Sequence, residues 1–422
     1  MYSYKNICLI VAVYYLLIVF LFVGCMGRTS TITNTTEISN IIDLTAGLEN
    51  IQTVRLSDIA DSISFLPLET TRESLLSGFG SSFSSHYIFC GNKYFDWNGK
   101  YLGSIGSRGN GPFEETDGVW GMIFSNNHFY SKGRKFIEYD ITGKPTGKVR
   151  NLDVGATDMN SKHPKFLWSS GLFTVGDHFA IYDYPTTVYF INKNFETISS
   201  REVFITDTLP PSLQPIANRA FQTRYKDNVL FYNYINDTIF YIKDLGLEPQ
   251  WVVSIDGSSW LSNETILNID MLVYKAVKAS QGGLSFEDTE LIRSFENKQK
   301  VMAVYETELY LFFYMTEVVF FPIPRGKQSA EPYIVLYEKR TGNTIRVKGK
   351  GFVDDLLGLD FFFPNSDTYD NQLITSVWPH EIHDYIDECK DKGREVNPRL
   401  LALSKQVKAE DNPVLIFVHL KK

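Results

Sequence analysis

One short unit recurs along the chain and restricts its fold more than any other feature. An apolar strand ends in Asp, Asn or Glu, a Gly or Asn follows within a few residues, and a second strand begins. The unit reads Tyr94-Phe95-Asp96-Trp97-Asn98-Gly99-Lys100 and again Glu138-Tyr139-Asp140-Ile141-Thr142-Gly143-Lys144. Further copies are Phe190-Ile191-Asn192-Lys193-Asn194, Tyr241-Ile242-Lys243-Asp244-Leu245-Gly246 and Leu336-Tyr337-Glu338-Lys339-Arg340-Thr341-Gly342-Asn343. These are hairpin signals, because an acidic or amide side chain caps a tight turn and Gly accepts the positive φ the turn requires. Asp96, Asp140, Asn192 and Lys243 follow one another at 44, 52 and 51 residues, the length of a four-stranded propeller blade. Glu338 lies 95 residues beyond Lys243, which is two periods or one period with an insertion.

Residues 262–299 supply a helical insertion: Ile266, Ile269, Val273 and Val277 form one stripe, Leu291, Ile292 and Phe295 a second, with Gly282-Gly283 between. Five hairpins and a blade shared by the two ends make six. The early strand Ser64-Phe65-Leu66-Pro67-Leu68 and the final strand Val414-Leu415-Ile416-Phe417-Val418 would close the ring and remove its exposed edges. The fold class expected is therefore all-β, a six-bladed propeller over residues 51–422, with seven blades as the nearest alternative. Short helices are expected before the last strand, one starting at Pro379 and one capped by Asn397 and started by Pro398, with Leu400, Leu403 and Val407 on a face. Aromatic residues make up 14% of the chain; most fall in strand patterns and are expected to fill the space between blades.

The N-terminus carries a different signal. Lys5 precedes an uninterrupted apolar run from Ile7 to Val23, then Gly24-Cys25, the layout of a secretory signal. A retained transmembrane anchor is the rival reading. Phe22-Val23-Gly24-Cys25 resembles a bacterial lipobox, which implies lipidation of Cys25 and a signal peptide over 1–25. Residues 26–50, polar and rich in Thr and Ser at their start, suit a flexible tether, with ordered structure expected from near Val54. The net charge of −8 gives no footprint for nucleic acid. Cys90 and Cys389 could pair outside the cytoplasm, but both have apolar neighbours and read rather as buried thiols.

Motifs for chemistry are sparse. The glycine run Gly103 to Pro112 lacks a Gly-Lys-Ser/Thr ending and is followed by Glu114 and Glu115; Gly143-Lys144-Pro145-Thr146-Gly147-Lys148 lacks the hydroxyl residue. No Gly-x-Ser-x-Gly elbow occurs. The pairs Glu114-Glu115 and Asp354-Asp355 would point to opposite faces and read as loop charge or turn caps. His380, His383, Asp384 and Asp387 fall on one arc of a helix, opposite Ile382, Ile386 and Cys389, and are the candidate metal ligands. The same pattern marks any amphipathic surface helix, and the His-Glu-x-x-His spacing is absent. His128, His163 and His178 are scattered. No catalytic residue and no cofactor is assigned.

The body resembles the six-bladed β-propeller lipoproteins of gut-type Bacteroidetes, through Ile63-Ser64-Phe65-Leu66-Pro67-Leu68-Glu69-Thr70, Phe95-Asp96-Trp97-Asn98-Gly99-Lys100, Ile105-Gly106-Ser107-Arg108-Gly109-Asn110-Gly111-Pro112 and Asp411-Asn412-Pro413-Val414-Leu415. Relatives continue the Gly-Pro with Gly-Glu-Tyr; Phe113-Glu114-Glu115 here predicts a reshaped loop. The resemblance implies a cell-envelope lipoprotein held to a membrane by its lipid, and the lack of acidic residues in Met26-Gly27-Arg28-Thr29-Ser30 points to the periplasmic face. Two functions compete for the propeller face: a non-catalytic binding or scaffold protein taking a glycan, peptide or partner protein, and a hydrolase or lyase acting on a polysaccharide or lactone. The binding reading is preferred, because an enzyme needs acid, base or metal ligands converging from several blades.

Overall fold

The computed structural model describes residues 40–78, 80–115, 121–132, 135–151, 172–183, 187–202, 220–226, 228–233, 237–254, 298–317, 331–364 and 369–422. The signal segment, Cys25, the first part of the tether, His163 and the expected helical insertion as far as 297 lie outside these residues. Gln299 opens a strand.

Six antiparallel blades follow the chain. Blade one runs from Ser81–Phe83 to Tyr101–Ser104, blade two from Gly121–Ser125 to Pro145–Asn151, and blade three from Leu172–Val175 to Thr197–Glu202. Blade four runs from Ala220–Tyr225 to Gly246–Ser254 and blade five from Gln299–Glu306 to Thr344–Val347. Blade six takes Gln372–Val377 and Val414–Leu420 from the end of the chain and Ala60–Pro67 from its start. Val414–Leu420 pairs with both neighbours, Phe417 opposite Ile374 on one side and Ser64 on the other. The ring is closed as the terminal strands predict.

The recurrent unit is the hairpin between the third and fourth strands of a blade. Asp96 Oδ1 accepts from Asn98 N at 2.8 Å and Lys100 N at 2.9 Å. Asp140 repeats this with Thr142 and Lys144, and Asn192 with Asn194 and Glu196. The left-handed position falls to Gly99 and Gly143 in the first two copies, but to Phe195 at φ 65° in the third. Burial of the Phe195 ring in the layer between blades two and three offsets that strain.

Alternation along each strand sends neighbours to opposite layers. Ile88 and Cys90 face blade six while Phe89 faces blade two; Leu230 faces blade five while Phe231 faces blade three. Blades four and five share one apolar layer, including Leu230, Tyr232, Val301 and Val304, so the two are neighbours in the ring. Aromatics fill these layers, as the strand patterns predict; Phe89, Phe129, Phe136, Phe179 and Phe231 are all but fully buried. Cys90 lies between blades six and one and Cys389 on the buried face of the helix Pro379–Asp391, and both are free buried thiols. Burial pushes the Cys90 thiol up to about 12.

The helix Pro379–Asp391 buries Ile382, Ile386 and Cys389, and the helix Pro398–Ser404 buries Leu400 and Leu403. Asn397 caps the second, accepting from Arg399 N at 2.9 Å. No helix among the described residues is long and apolar enough to cross a membrane.

Residues 40–52, which the sequence assigns to the tether, pair with the body. Ile41–Asp43 runs parallel to the outer strand of blade four and Ile51–Gln52 parallel to that of blade five. The helix Leu44–Glu49 joins them, capped by Asp43, and crosses so close that a Cβ on Gly47 would lie 2.8 Å from Thr344 Cβ. Arg55 then bridges Val353, and the helix Leu56–Ile59 leads into blade six. Two outer edges are thereby covered. The polar composition hid this, because only Ile42 and Leu44 are fully buried at its start.

Candidate functional site

At the ends of the first strands of blades one to four and at the Asp370-Asn371 turn that leads into blade six, side chains surround a cavity of about 540 Å³, the channel mouth, within the range of small-ligand sites. Its polar groups include Arg224, Lys226, Asp370 and Thr223; Tyr369 and Phe83 supply aromatic wall.

Tight turns present these groups. Asp370 and Asn371 hold φ 45° and 60°, and Asn126 and Asn127 hold 50° and 59°, so each pair makes a two-residue hairpin turn of the kind that needs two left-handed residues. Asn371 fixes its turn to both neighbours: its Oδ1 accepts from Glu308 N at 2.8 Å and its Nδ2 donates to Leu420 O at 3.3 Å. Lys226, at φ 54°, reaches the Glu308 carboxylate of blade five at 2.7 Å, and Tyr225 OH donates to the same carboxylate at 2.9 Å. These two hydrogen bonds hold the Glu308 carboxyl below its usual range, and Lys226 is held above its own by its hydrogen bonds to Glu308 and to Tyr225. Arg224 donates to Thr174 O and Oγ1 of blade three at 3.1 and 2.6 Å. Thr223 Oγ1 is buried and has no hydrogen-bond partner among the described residues.

Behind Lys226 lies a buried charge. Glu306 is 2% exposed; its carboxylate accepts from Tyr241 OH of blade four at 2.8 Å and from Lys339 Nζ at 2.6 Å. Burial raises the Glu306 carboxyl, against the pull of Lys339. Lys339 also sits over the Tyr225 ring, 4.6 Å from its centroid.

The histidine helix packs on the layer of blades five and six and contributes nothing to the cavity. His383 Nε2 lies 3.1 Å from Val407 O, Asp387 pairs with Lys390 at 2.8 Å, and His380 and Asp384 are exposed. No group of three His, Cys, Asp or Glu among the described residues is placed to hold a metal ion. His128 bonds Asn126 O, and His178 opens the second strand of blade three. The glycine loop fills its own anion nest: Glu114 Oε2 accepts from Gly111 N at 2.8 Å, and a Cβ on Gly109 would lie 2.0 Å from that oxygen. Glu115 turns the other way and accepts from Lys135 N at 3.0 Å. Asp354 takes the N–H groups of Leu356, Leu357 and Leu359 while Asp355 takes that of Ser57. In each pair one carboxylate caps its own turn, Glu114 and Asp354, while the other, Glu115 and Asp355, holds the backbone of a distant segment. Arg224, Lys226, Glu308 and Asp370 were not singled out in the sequence; the turn dipeptides Asn126-Asn127 and Asp370-Asn371 are the signal that marks this end of the blades.

Among solved structures, a Bacteroides fragilis protein described as exported is similar over 90% of this chain and 100% of its own, with 20% identity and a TM-score of 0.59. A member of the DUF4221 family from Bacteroides vulgatus is similar over 86% of this chain and 97% of its own, with 12% identity and a TM-score of 0.41. The first likeness is one of fold. No curated protein matches the sequence. A family model described as a domain of unknown function, DUF4934, matches residues 39–419. With nearly all of the propeller inside that match, the chain belongs to the DUF4934 family.

Proposed function

We propose that the protein is an exported, lipid-anchored binding protein that takes its ligand at the channel mouth. The observation that carries this is the cavity itself, walled by five blades with hydroxyls, aromatic rings and charges of both signs. The carboxyls that burial raises among the described residues, Glu306, Asp354 and Asp237, are all outside it, and two are already committed, Glu306 to Lys339 and Asp354 to three backbone N–H groups. A hydrolytic site would draw on such a carboxyl inside the cavity. Export is supported by the signal pattern ending at Cys25 and by the description of the Bacteroides fragilis neighbour.

Two measurements test the two halves. Metabolic labelling with a fatty-acid analogue should mark the wild type and spare Cys25→Ala; equal labelling of both removes the anchor. Incubating the purified protein with polysaccharides and peptides, with and without divalent metal, should give retention without chain shortening. Product release abolished by a chelator overturns the binding reading.

A further inference from the structure

The groups around the cavity also narrow the chemistry of what enters it. We propose that the channel mouth binds the end of a neutral oligosaccharide, with a sugar ring against Tyr369 and its hydroxyls shared between Asp370 and Arg224; this rests on the binding reading above.

Three observations point there. Charge among the described lining residues is nearly balanced: Arg224 stands against Asp370, and Lys226 is already paired with Glu308 of blade five at 2.7 Å. A polyanion or polycation would meet no excess of opposite charge. Second, the polar lining includes hydroxyl residues (Ser82, Ser84, Ser85, Thr174) together with a carboxylate and a guanidinium. Planar charged groups of both kinds match vicinal hydroxyls, each of which donates and accepts. Third, the aromatic wall is rigid. The Tyr369 ring lies 5.0 Å from that of Trp97 and 6.2 Å from that of Phe83, and Trp97 Nε1 donates to Ser84 O at 3.1 Å. A fixed ring beside hydroxyl-rich walls presents an apolar face and polar edges together, as a sugar ring does. A peptide would call for backbone pairing partners or an apolar groove, and side chains dominate here.

The test is calorimetric titration of the full-length protein, in detergent, with neutral hexasaccharides of α- and β-linked glucose and mannose. Polygalacturonate fragments and hexapeptides of acidic, basic and neutral composition form the comparison arms. Neutral sugars should bind, and Asp370→Asn should weaken them about tenfold or more. That variant keeps a residue suited to the left-handed turn, so an unchanged melting temperature separates lost contact from lost fold. Tyr369→Leu should weaken binding as well, and Asp384→Ala, on the distant helix, should not. Peptide binding with the same sensitivity to Asp370→Asn overturns the sugar assignment and leaves the binding reading standing. Polygalacturonate binding in preference to neutral sugars overturns the neutral assignment alone. No binding in any arm overturns both readings.

Discussion

The ammonium of Lys339 lies 2.6 Å from the carboxylate of Glu306, and together they bury one ion pair where blade five meets Tyr225 and Tyr241 of blade four. Opposite charges at this distance offset each other's desolvation only while both remain. Lys339→Met should therefore cost about 3–5 kcal/mol near neutral pH. The loss should depend on pH. Glu306 without its cation has a folded pKa raised further above its unfolded value. Stability is then fully present below the unfolded pKa, about 4.3, and is lost as pH rises through the folded pKa. Urea unfolding of both proteins at pH 5 and pH 8 should show a larger gap at pH 8; equal gaps would contradict the assignment.

Ring closure depends on one buried amide. Asn412 is fully buried; its Nδ2 donates to Glu69 O at 2.8 Å and Ser74 O at 3.1 Å, and its Oδ1 accepts from Leu76 N at 2.8 Å. Asn412→Ala leaves three backbone groups without that partner and should cost about 3 kcal/mol or more. Asn412→Asp keeps the acceptor but loses the donor, so it should also destabilise. Denaturant midpoints within experimental error of the wild type would remove Asn412 from the closure.

At Phe195 the backbone and the side chain pull in opposite directions. Its φ of 65° favours glycine, while its ring lies 4.5 Å from that of Phe136. Phe195→Gly should lose the packing but relieve the backbone, and Phe195→Ala should lose the packing alone. The alanine variant is expected to be less stable than the glycine variant by about 1 kcal/mol, the reverse of the order at an ordinary strand position. Thermal or urea unfolding of the three proteins decides it.

Gly47→Val places a side chain where Thr344 Cβ already stands 2.8 Å from the position a Cβ on residue 47 would take. The helix Leu44–Glu49 must then lift from blade five, costing about 1–3 kcal/mol. Amide exchange should speed up across residues 41–52 and leave blades one to three unchanged. Unaltered exchange there would show that the segment tolerates the added bulk.

How much of this was legible in the sequence depends on whether a residue announces its role locally. The hairpin after each third strand was legible because Asp96, Asp140 and Asn192 cap their turns with their own side chains, two and four residues on. The C-terminal helices were legible through Pro379, Asn397 and Pro398, which act within one turn. The channel mouth was not, because Arg224, Glu308 and Asp370 come from three blades and meet only when the ring forms. The pairing of residues 41–52 was hidden for the same reason: their partners, Val252 and Arg346, lie far along the chain.

Those distant pairings also govern when the molecule can become itself. Ala60–Pro67 is made early and its partner Val414–Leu420 last, while Ile41–Asp43 waits for blade four and Ile51–Gln52 for blade five. A chain released N-terminus first thus carries an unmatched leading segment until the strand Val414–Leu420 has emerged. Contacts of such long sequence separation form slowly. Delay is built into the order of the strands, so a growing chain keeps its ring open until that partner arrives.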